Sequence, residues 1–407
     1  MKGLKEIASR NNWDLKLISD VVFFQEGPGV RKHQYTSRGV KLLNVTNILD
    51  GYLDLEATDR YISEEEAYGK YKHFLVDEGD LLIACSGIKI SYFDKKITFV
   101  SSEDLPLCMN TSTMRFKTNN ENKLNIKYFY YFLKSNYFKK QLARQITGSA
   151  QLNFGPSHIK KMFIMIPEIE YQKILAKILD KITKLIEIRR KQIQANDDLI
   201  ESLFQTLFVR NTSGIDIIKK TMGDVMTVNQ GLQIPIAKRL KKEEENCYKY
   251  ITIKYLNGNS ETEYIKAPKK SVICSKDDIL VTRTGNTGQI VTGVTGVFHN
   301  NFFKLNYDRN VFNTIYLYSY LNTYYVQEKM KLLAGTSTIP DLNHGDFYKI
   351  DVLIPPIELQ NKFADYVIKI EEEKKKLNSS LAKLEILFNA LMQEAFSGNL
   401  FKDWEGR

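Results

Sequence analysis

The chain repeats itself, and this constrains its fold more than any other feature of the sequence. Ile166-Pro167-Glu168-Ile169-Glu170-Tyr171-Gln172 returns as Ile354-Pro355-Pro356-Ile357-Glu358-Leu359-Gln360, an offset of 188 (354 − 166). At that offset Ala176 falls on Ala364, Lys181 on Lys369 and Ile182 on Ile370, and Leu203, Gln205 and Phe208 fall on Leu391, Gln393 and Phe396. Upstream, the aromatic run from Tyr128 to Leu133 falls on Tyr316 to Leu321, and Thr147-Gly148-Ser149 has a rougher counterpart in Gly335-Thr336-Ser337. Earlier portions repeat more loosely. Ser19-Asp20-Val21 with Gly27 resembles Gly223-Asp224-Val225 with Gly231, and Asp80-Leu81-Leu82-Ile83 resembles Asp278-Ile279-Leu280-Val281. The order is therefore variable unit (1–166), shared segment (167–209), variable unit (210–354) and shared segment (355–407).

Each shared segment carries a helical signal. Leu175, Leu179, Ile182, Ile186, Arg189, Ile193, Asn196, Ile200, Leu203 and Leu207 alternate in steps of four and three, the seam of a coiled coil. The offset maps them onto Phe363, Val367, Ile370, Lys374, Leu377, Leu381, Leu384, Phe388, Leu391 and Ala395. No Pro or Gly interrupts 171–208 or 359–396, and a Pro precedes each segment, where a helix's first turn tolerates it. The pattern predicts two long helices, each of ~38 residues and ~57 Å. Neither can cover its own apolar stripe, so they are expected to cover each other. A globular unit lies between them in the chain, which favours an antiparallel pair. Its interface is expected to hold Leu179, Ile182, Ile186, Ile193, Ile200 and Leu203 against Val367, Ile370, Leu377, Leu381, Leu384 and Leu391. Polar Arg189, Asn196 and Lys374 on the seam would fix register at some cost in packing.

The variable units have another texture. Val40–Val45, Gly79–Ala84, Tyr248–Ile253 and Asp278–Thr282 read as strands, and the aromatic runs at 126–138 and 313–325 as helices packed on them. The fold class expected is α+β: two globular units with mixed or antiparallel sheets, related by a pseudo-two-fold repeat and joined by the helix pair. Polar clusters fall in the loops. In the first unit they hold Arg31, Lys32, Gln34, Tyr35 and Arg38, then Lys89 beside Cys85-Ser86-Gly87, then Asn110 with Arg115. In the second they hold Gln230, Gln233, Lys238 and Arg239, then Arg283, Thr284, Asn286 and Thr287, then Asn300 and Asn301 with Lys304. Arg, Lys, Asn and Gln suit guanine and adenine edges, while Lys, Thr and Gly-flanked backbone N–H groups suit phosphates. One polar loop is ordinary. Recurrence at matching places in both units makes these the candidate DNA-binding residues.

Composition narrows the function class. The 407 residues carry 58 Lys and Arg against 48 Asp and Glu, a formal charge of +10 that permits a polyanionic partner. Cys85, Cys108, Cys247 and Cys274 stand far apart with no CxxC pair, which argues against a disulfide frame or zinc module and fits a reducing cytoplasm. No apolar run is long enough to span a membrane, and Met1–Arg10 has no apolar core of the signal-peptide kind. Catalytic signatures are missing: no GxxxxGK[ST], no HExxH, no Asn-Pro-Pro-aromatic tetrapeptide. Gly285-Asn286-Thr287-Gly288 lies between strands, not before a helix, so it is no dinucleotide fingerprint. No metal, cofactor or catalytic residue is assigned.

Two variable units joined by similar long helices, each introduced by Ile-Pro-x-Ile-Glu-x-Gln, resemble the specificity (S) subunit of type I restriction–modification systems. Gly79-Asp80-Leu81-Leu82-Ile83, Thr147-Gly148-Ser149 with Gln151 and Asn153, and the ending Ala395-Phe396-Ser397-Gly398-Asn399-Leu400-Phe401 are also similar to that family. The second unit lacks the Gln at the position matching Gln151. The resemblance implies a non-catalytic DNA reader with two target recognition domains, each binding half of a bipartite double-stranded site. It implies that the helices set the spacer and dock DNA methyltransferase subunits, two per chain, which would hold S-adenosylmethionine and flip the adenine. Whether restriction or motor subunits join is left open. The alternatives are a recognition subunit of another restriction or methylation family, a self-sufficient DNA-modifying enzyme, and a duplicated scaffold that binds only protein. S-adenosylmethionine on the isolated chain would favour the enzyme. Failure to bind any duplex, even with partners present, would favour the scaffold.

Overall fold

A computed structural model describes residues 2–146, 152–210, 213–266, 269–335 and 340–400. The chain divides into two compact units, and each long helix is shared between them. The first unit comprises 1–190 and 380–407, and the second 191–379.

In the first unit, four antiparallel strands run in the order β2 (Val22–Glu26), β9 (Thr113–Thr118), β5 (Leu81–Ala84) and β7 (Ile97–Phe99). Beside them β3 (Val40–Leu42) pairs antiparallel with β4 (Tyr61–Ile62) and parallel with β8 (Leu107–Cys108). Two small ladders complete the unit: β1 (Asp14–Leu17) with β11 (Phe163–Ile166), and β6 (Ser86–Ile88) with β10 (Leu152–Asn153). The second unit repeats the plan. Its antiparallel sheet runs β13 (Met226–Gln230), β20 (Phe302–Tyr307), β17 (Leu280–Thr282) and β18 (Ile290–Val291). Its mixed sheet runs β15 (Tyr264–Lys266), β14 (Cys247–Ile251), β19 (Gly296–Phe298) and β16 (Ile273–Cys274). β12 (Ile218–Thr221) pairs with β21 (Asp351–Ile354) as β1 pairs with β11. β3 is shorter than its apolar run because the chain turns at Asn44, whose backbone N–H donates to Asn47 Oδ1 (2.8 Å).

Each aromatic run forms two helices, where the sequence suggests one. After α1 (Lys2–Arg10), helix α2 (Ile126–Lys134) stops at Ser135, whose hydroxyl donates to the Phe132 carbonyl (2.6 Å) and caps Phe138 N–H (3.3 Å), starting α3 (Asn136–Gln145). Residues 128–133 of α2 are buried all round, as expected of a helix inside a core.

The long helices are α4 (Ile169–Gln205), ending in a π turn at 206–210, and α7 (Ile357–Ser397); between them lie α5 (Thr314–Leu321) and α6 (Tyr324–Ala334). Every seam position read from the sequence is buried or half-buried. In the first unit the start of α4 meets the end of α7 running the other way. Tyr171 Oη donates to the Ala395 carbonyl (3.0 Å), and Arg190 pairs with Glu385 (2.7 Å). Met392, Ala395 and Phe396 join the core, with Phe396 against Tyr128 and Phe132. In the second unit the end of α4 meets the start of α7, again antiparallel. Lys374 pairs with Asp197, and Phe204 and Phe208 pack on Phe363 and Tyr316.

One polar device is copied at the 188 offset. Gln172 is fully buried. Its Oε1 accepts Asn125 N–H (2.9 Å), and its Nε2 donates to the carbonyls of Lys123 (3.0 Å) and Pro167 (2.8 Å). Gln360 treats Asn313 N–H (2.9 Å), Val311 (2.9 Å) and Pro355 (2.8 Å) identically. Tyr128 Oη reaches the Met165 carbonyl as Tyr316 Oη reaches that of Leu353. The motif before each helix is thus a clamp that ties the helix start to the loop leading into α2 or α5.

Candidate nucleic-acid interface

Among the expected contact residues, some face solvent and others are used by the fold. In the first unit the loop after β2 begins where the backbone crosses Asn110. A Cβ on Gly27 would lie 2.4 Å from the Asn110 carbonyl oxygen, so only glycine fits. Gly231 crosses His299 in the same way, at 2.1 Å. Beyond Gly27, Arg31, Lys32 and Arg38 are exposed, as is Lys89.

Gln34, Tyr35 and Asn110 are placed differently from the expectation. Gln34 Nε2 donates to Glu66 (2.6 Å) and Tyr71 (3.0 Å), and its Oε1 accepts Arg31 N–H (3.0 Å). Tyr35 packs on the small cluster of Val30, Val40 and Leu42. Asn110 is buried; its Nδ2 donates to Asn44 (3.1 Å) and its Oδ1 accepts Thr111 N–H (2.6 Å). Short polar side chains at turns bond to nearby groups of the fold first.

Arg115 and Lys304, read as loop cations, belong instead to strands β9 and β20. Arg115 is 8 % exposed and lies 3.3 Å from Asp80, while Lys304 lies 3.7 Å from Asp278. The aspartates that open the two Asp-apolar-apolar motifs therefore hold internal cations in both units.

In the second unit Arg239 is likewise used internally. Its Nε and Nη2 donate to the Ile234 carbonyl (2.9 and 2.8 Å), its Nη1 to Glu263 (2.9 Å), and its plane lies 5.0 Å from the Tyr250 ring centroid. Gln230 Nε2 donates to the Asn300 carbonyl (2.5 Å) and Thr287 Oγ1 to that of Pro340 (2.9 Å). Gln233, Lys238 and Asn286 are exposed, and Thr284, Asn300 and Asn301 are half-exposed. Asn300 Nδ2 donates to Gln233 Oε1 (3.2 Å). Arg283 is half-exposed and held by Asp341, Nε to Oδ1 at 2.6 Å and Nη2 to Oδ2 at 2.7 Å; this carboxylate holds the guanidinium even more firmly protonated than usual.

The loops of Arg239 and Asn301 meet at a cleft of 680 Å³ whose lining includes Arg239, Lys241, Lys254, His299 and Asn301 together with Glu261 and Glu263. Asn301 adjoins Arg283, whose N–H donates to the Asn301 carbonyl (2.6 Å). Lys241, Lys254 and His299 are not among the residues read from the sequence. The basic run Lys238-Arg239 with Lys241-Lys242 signalled the first, whereas Lys254 and His299 come from segments with no local pattern. His299 Nδ1 accepts Asn301 N–H (3.1 Å), which places the ring proton on Nε2. Burial, and then the Arg239 charge, push its pKa below the usual histidine range, so the cleft holds a neutral imidazole at pH 7. The cleft therefore offers the cations of Lys241 and Lys254 beside the Asn301 amide, chemistry that suits phosphates and base edges, while Glu263 meets the charge of Arg239 and Glu261 adds a further carboxylate.

Cys85, at the equivalent place in the first unit, is buried and its thiol is pushed up to about 12, so it is an inert core group. Residues 147–151 and 336–339, which carry most of the Thr-Gly-Ser resemblance and Gln151, lie outside the described residues. No helix among the described residues is long and apolar enough to cross a membrane.

Comparison with known proteins follows the same halves. The family model for the type I restriction modification DNA specificity domain matches twice, over residues 10–196 and 215–384. The specificity subunit of the type I restriction enzyme MjaVIII of Methanocaldococcus jannaschii is 29% identical over 185 residues, 44% of this chain and 42% of that one. The StySPI specificity subunit of Salmonella potsdam is 22% identical over 311 residues, 68% of this chain and 66% of that one. The match thus spans less than two thirds of the length of these two relatives. The putative MjaX specificity subunit of Methanocaldococcus jannaschii is 21% identical over 405 residues, 89% of this chain and 87% of that one. The crystal structure of a type I restriction–modification S subunit from M. genitalium superposes with a TM-score of 0.60 at 17% identity, covering 95% of this chain and 96% of that one, a likeness of fold. A sequence match over both repeats, on a frame duplicated down to its buried glutamines, places this chain in the family of type I restriction–modification specificity subunits.

Proposed function

We propose that this chain is the sequence-reading, non-catalytic subunit of a type I restriction–modification assembly, and that each unit reads one half of a bipartite double-stranded site. Residues 1–166 and 210–354 serve as the two recognition domains, and 167–209 and 355–407 as the spacer that holds them and docks two methyltransferase subunits. The observation that carries this reading is one frame bearing two different sets of loop side chains. The glutamine clamps and sheet orders repeat, yet exposed Arg31, Lys32 and Arg38 in one unit answer to exposed Gln233 and Lys238 and the polar cleft in the other. Two readers on one frame suit two unrelated half-sites.

The helices support the docking role. Away from their shared seam, Leu185, Ile188, Ile386 and Leu387 are exposed in the first unit, and Leu199, Tyr366 and Ile368 in the second. Apolar residues recurring on a helix's outer face mark a protein partner.

Sequencing of methylated bases in DNA from cells expressing the chain with its modification subunits tests the reading. A bipartite motif with a fixed gap is expected, and a single continuous motif or none would overturn it. The spacer role makes a second prediction. Seven residues added to both helices, after Arg190 and before Ser380, lengthen the rod by ~10 Å. The methylated motif should then keep both half-sites and widen its gap by about three base pairs. An unchanged gap would refute the spacer role.

A further inference from the structure

Arg283 and Cys85 occupy one position of the repeated frame. Each N–H donates to the loop after the neighbouring sheet, Arg283 to the Asn301 carbonyl (2.6 Å) and Cys85 to that of Ser112 (2.9 Å). Each carbonyl accepts from the chain that returns beside it, Arg283 from Leu342 N–H and Cys85 from Phe154 N–H, both at 3.0 Å. The residue before that donor is Asp341 in one unit and Asn153 in the other, again 188 apart (341 − 153). In the first unit Asn153 Oδ1 accepts from Ser86 Oγ (2.7 Å) and Gly87 N–H (3.1 Å). In the second Asp341 grips the Arg283 fork. The frame is common, the side-chain pair differs, and the position adjoins the candidate interface.

The grip leaves a defined edge. Asp341 takes Nε and one hydrogen of Nη2, so Nη1 and the outer hydrogen of Nη2 point away from it, and no described acceptor takes Nη1. The Arg283 side chain is 34 % exposed. Two parallel N–H groups on one edge match the N7 and O6 acceptors that guanine alone presents in a major groove. Adenine would oppose one of them with its N6 donor, and cytosine would present a donor. A phosphate also accepts a fork. Here a carboxylate 2.6 Å away cancels the guanidinium's net charge and repels a phosphate, whereas a neutral base edge needs only the directed N–H pair. The supports are local: Thr284 and Asp341 form a β-bridge, and Thr287 Oγ1 ties the same loop to Pro340.

We propose that Arg283 reads one guanine in the half-site of the second unit, and that Asp341 is the positioning residue that fixes its fork. This rests on the DNA-reading role proposed above and adds the base and the pair that selects it.

The test is selection from duplexes randomised across both half-sites, using the full chain assembled with its modification subunits. It is followed by binding of the selected duplex carrying 7-deazaguanine, which lacks the N7 acceptor, at each guanine in turn. The intact assembly should select a guanine at one position of one half-site. 7-Deazaguanine there should weaken binding roughly 10- to 100-fold. Arg283→Ala and Arg283→Lys should relax the selected pool at that position alone, and Asp341→Asn should loosen the same position with the rest of the motif intact. Uniform weakening at all positions with a shallower salt dependence would make Arg283 a phosphate contact and overturn the inference. So would an Arg283→Ala pool identical to that of the intact chain, or 7-deazaguanine without effect on the intact chain at every position. If the intact assembly selects nothing in either half-site, the DNA-reading role itself fails, an outcome distinct from the others.

Discussion

Replacing Asp80 with alanine should lower the stability of the first unit by about 3–5 kcal/mol, because it strands a buried guanidinium. The Asp80 side chain is 2 % exposed and that of Arg115 9 %. Arg115 is held at both terminal nitrogens: Nη1 donates to the Leu75 carbonyl (2.6 Å), and Nη2 to Gln25 (2.8 Å) and the His73 carbonyl (2.9 Å). Those contacts hold the cation in place once its counter-charge is gone, so it cannot swing out to water. Lys117, 3.0 Å from Asp80, retains Asp77 at 2.6 Å and makes its own adjustment at the surface. The copy in the second unit is a control. The Asp278 side chain is 20 % exposed, with Lys304 at 3.7 Å and the exposed Arg309 at 3.5 Å. Asp278→Ala should therefore cost only about 1 kcal/mol. Urea unfolding of the two variants measures both, and equal losses would show that burial is not what sets the cost.

Gln360→Leu is the second large effect. The isostere fills the space but leaves one N–H and two carbonyls without a partner inside the protein, which should cost about 2–4 kcal/mol. Gln172→Leu should do the same to the first unit, through Asn125, Lys123 and Pro167. Because the clamps lie in different units, the two losses should add within about 0.5 kcal/mol in the double variant. A loss below about 0.5 kcal/mol for either single change would mean that water replaces the glutamine and that the clamp is not a stabilising element.

These predictions come from groups whose meaning the sequence did not disclose. The repeat and the seam were legible because both are periodic. A helix that must cover a stripe every three or four residues writes that requirement into consecutive residues, and Leu175 through Leu207 show it. Gln172 stands plainly in its motif, but its partners at 123 and 125 belong to a segment with no local link to it. Arg115 looked like a loop cation because it follows Asn110-Thr111-Ser112. Its aspartate lies 35 residues upstream, joined only by the pairing of β5 with β9. Several candidate contacts are engaged inside the fold for a related reason. Gln34, Asn110 and Arg239 have the right chemistry for bases, and that chemistry serves equally well on nearby backbone. Composition cannot tell which use a loop makes of an amide or guanidinium, whereas the fork between Arg283 and Asp341 becomes visible once β17 and the returning chain are placed together.

The interlocked helices also impose a timetable on synthesis. The first unit is filled by Phe388, Met392, Ala395 and Phe396, which leave the ribosome about two hundred residues after the end of that unit's own share of α4. At ~5–20 residues per second, the nascent chain carries an unsealed hydrophobic gap for roughly 10–40 s. During that interval Tyr128 and Phe132 lack the ring that later covers them. The second unit, whose α4 segment is already made, closes as soon as the first half of α7 emerges. The segment translated first is thus the last to be completed, and it is the one most in need of a chaperone while it waits.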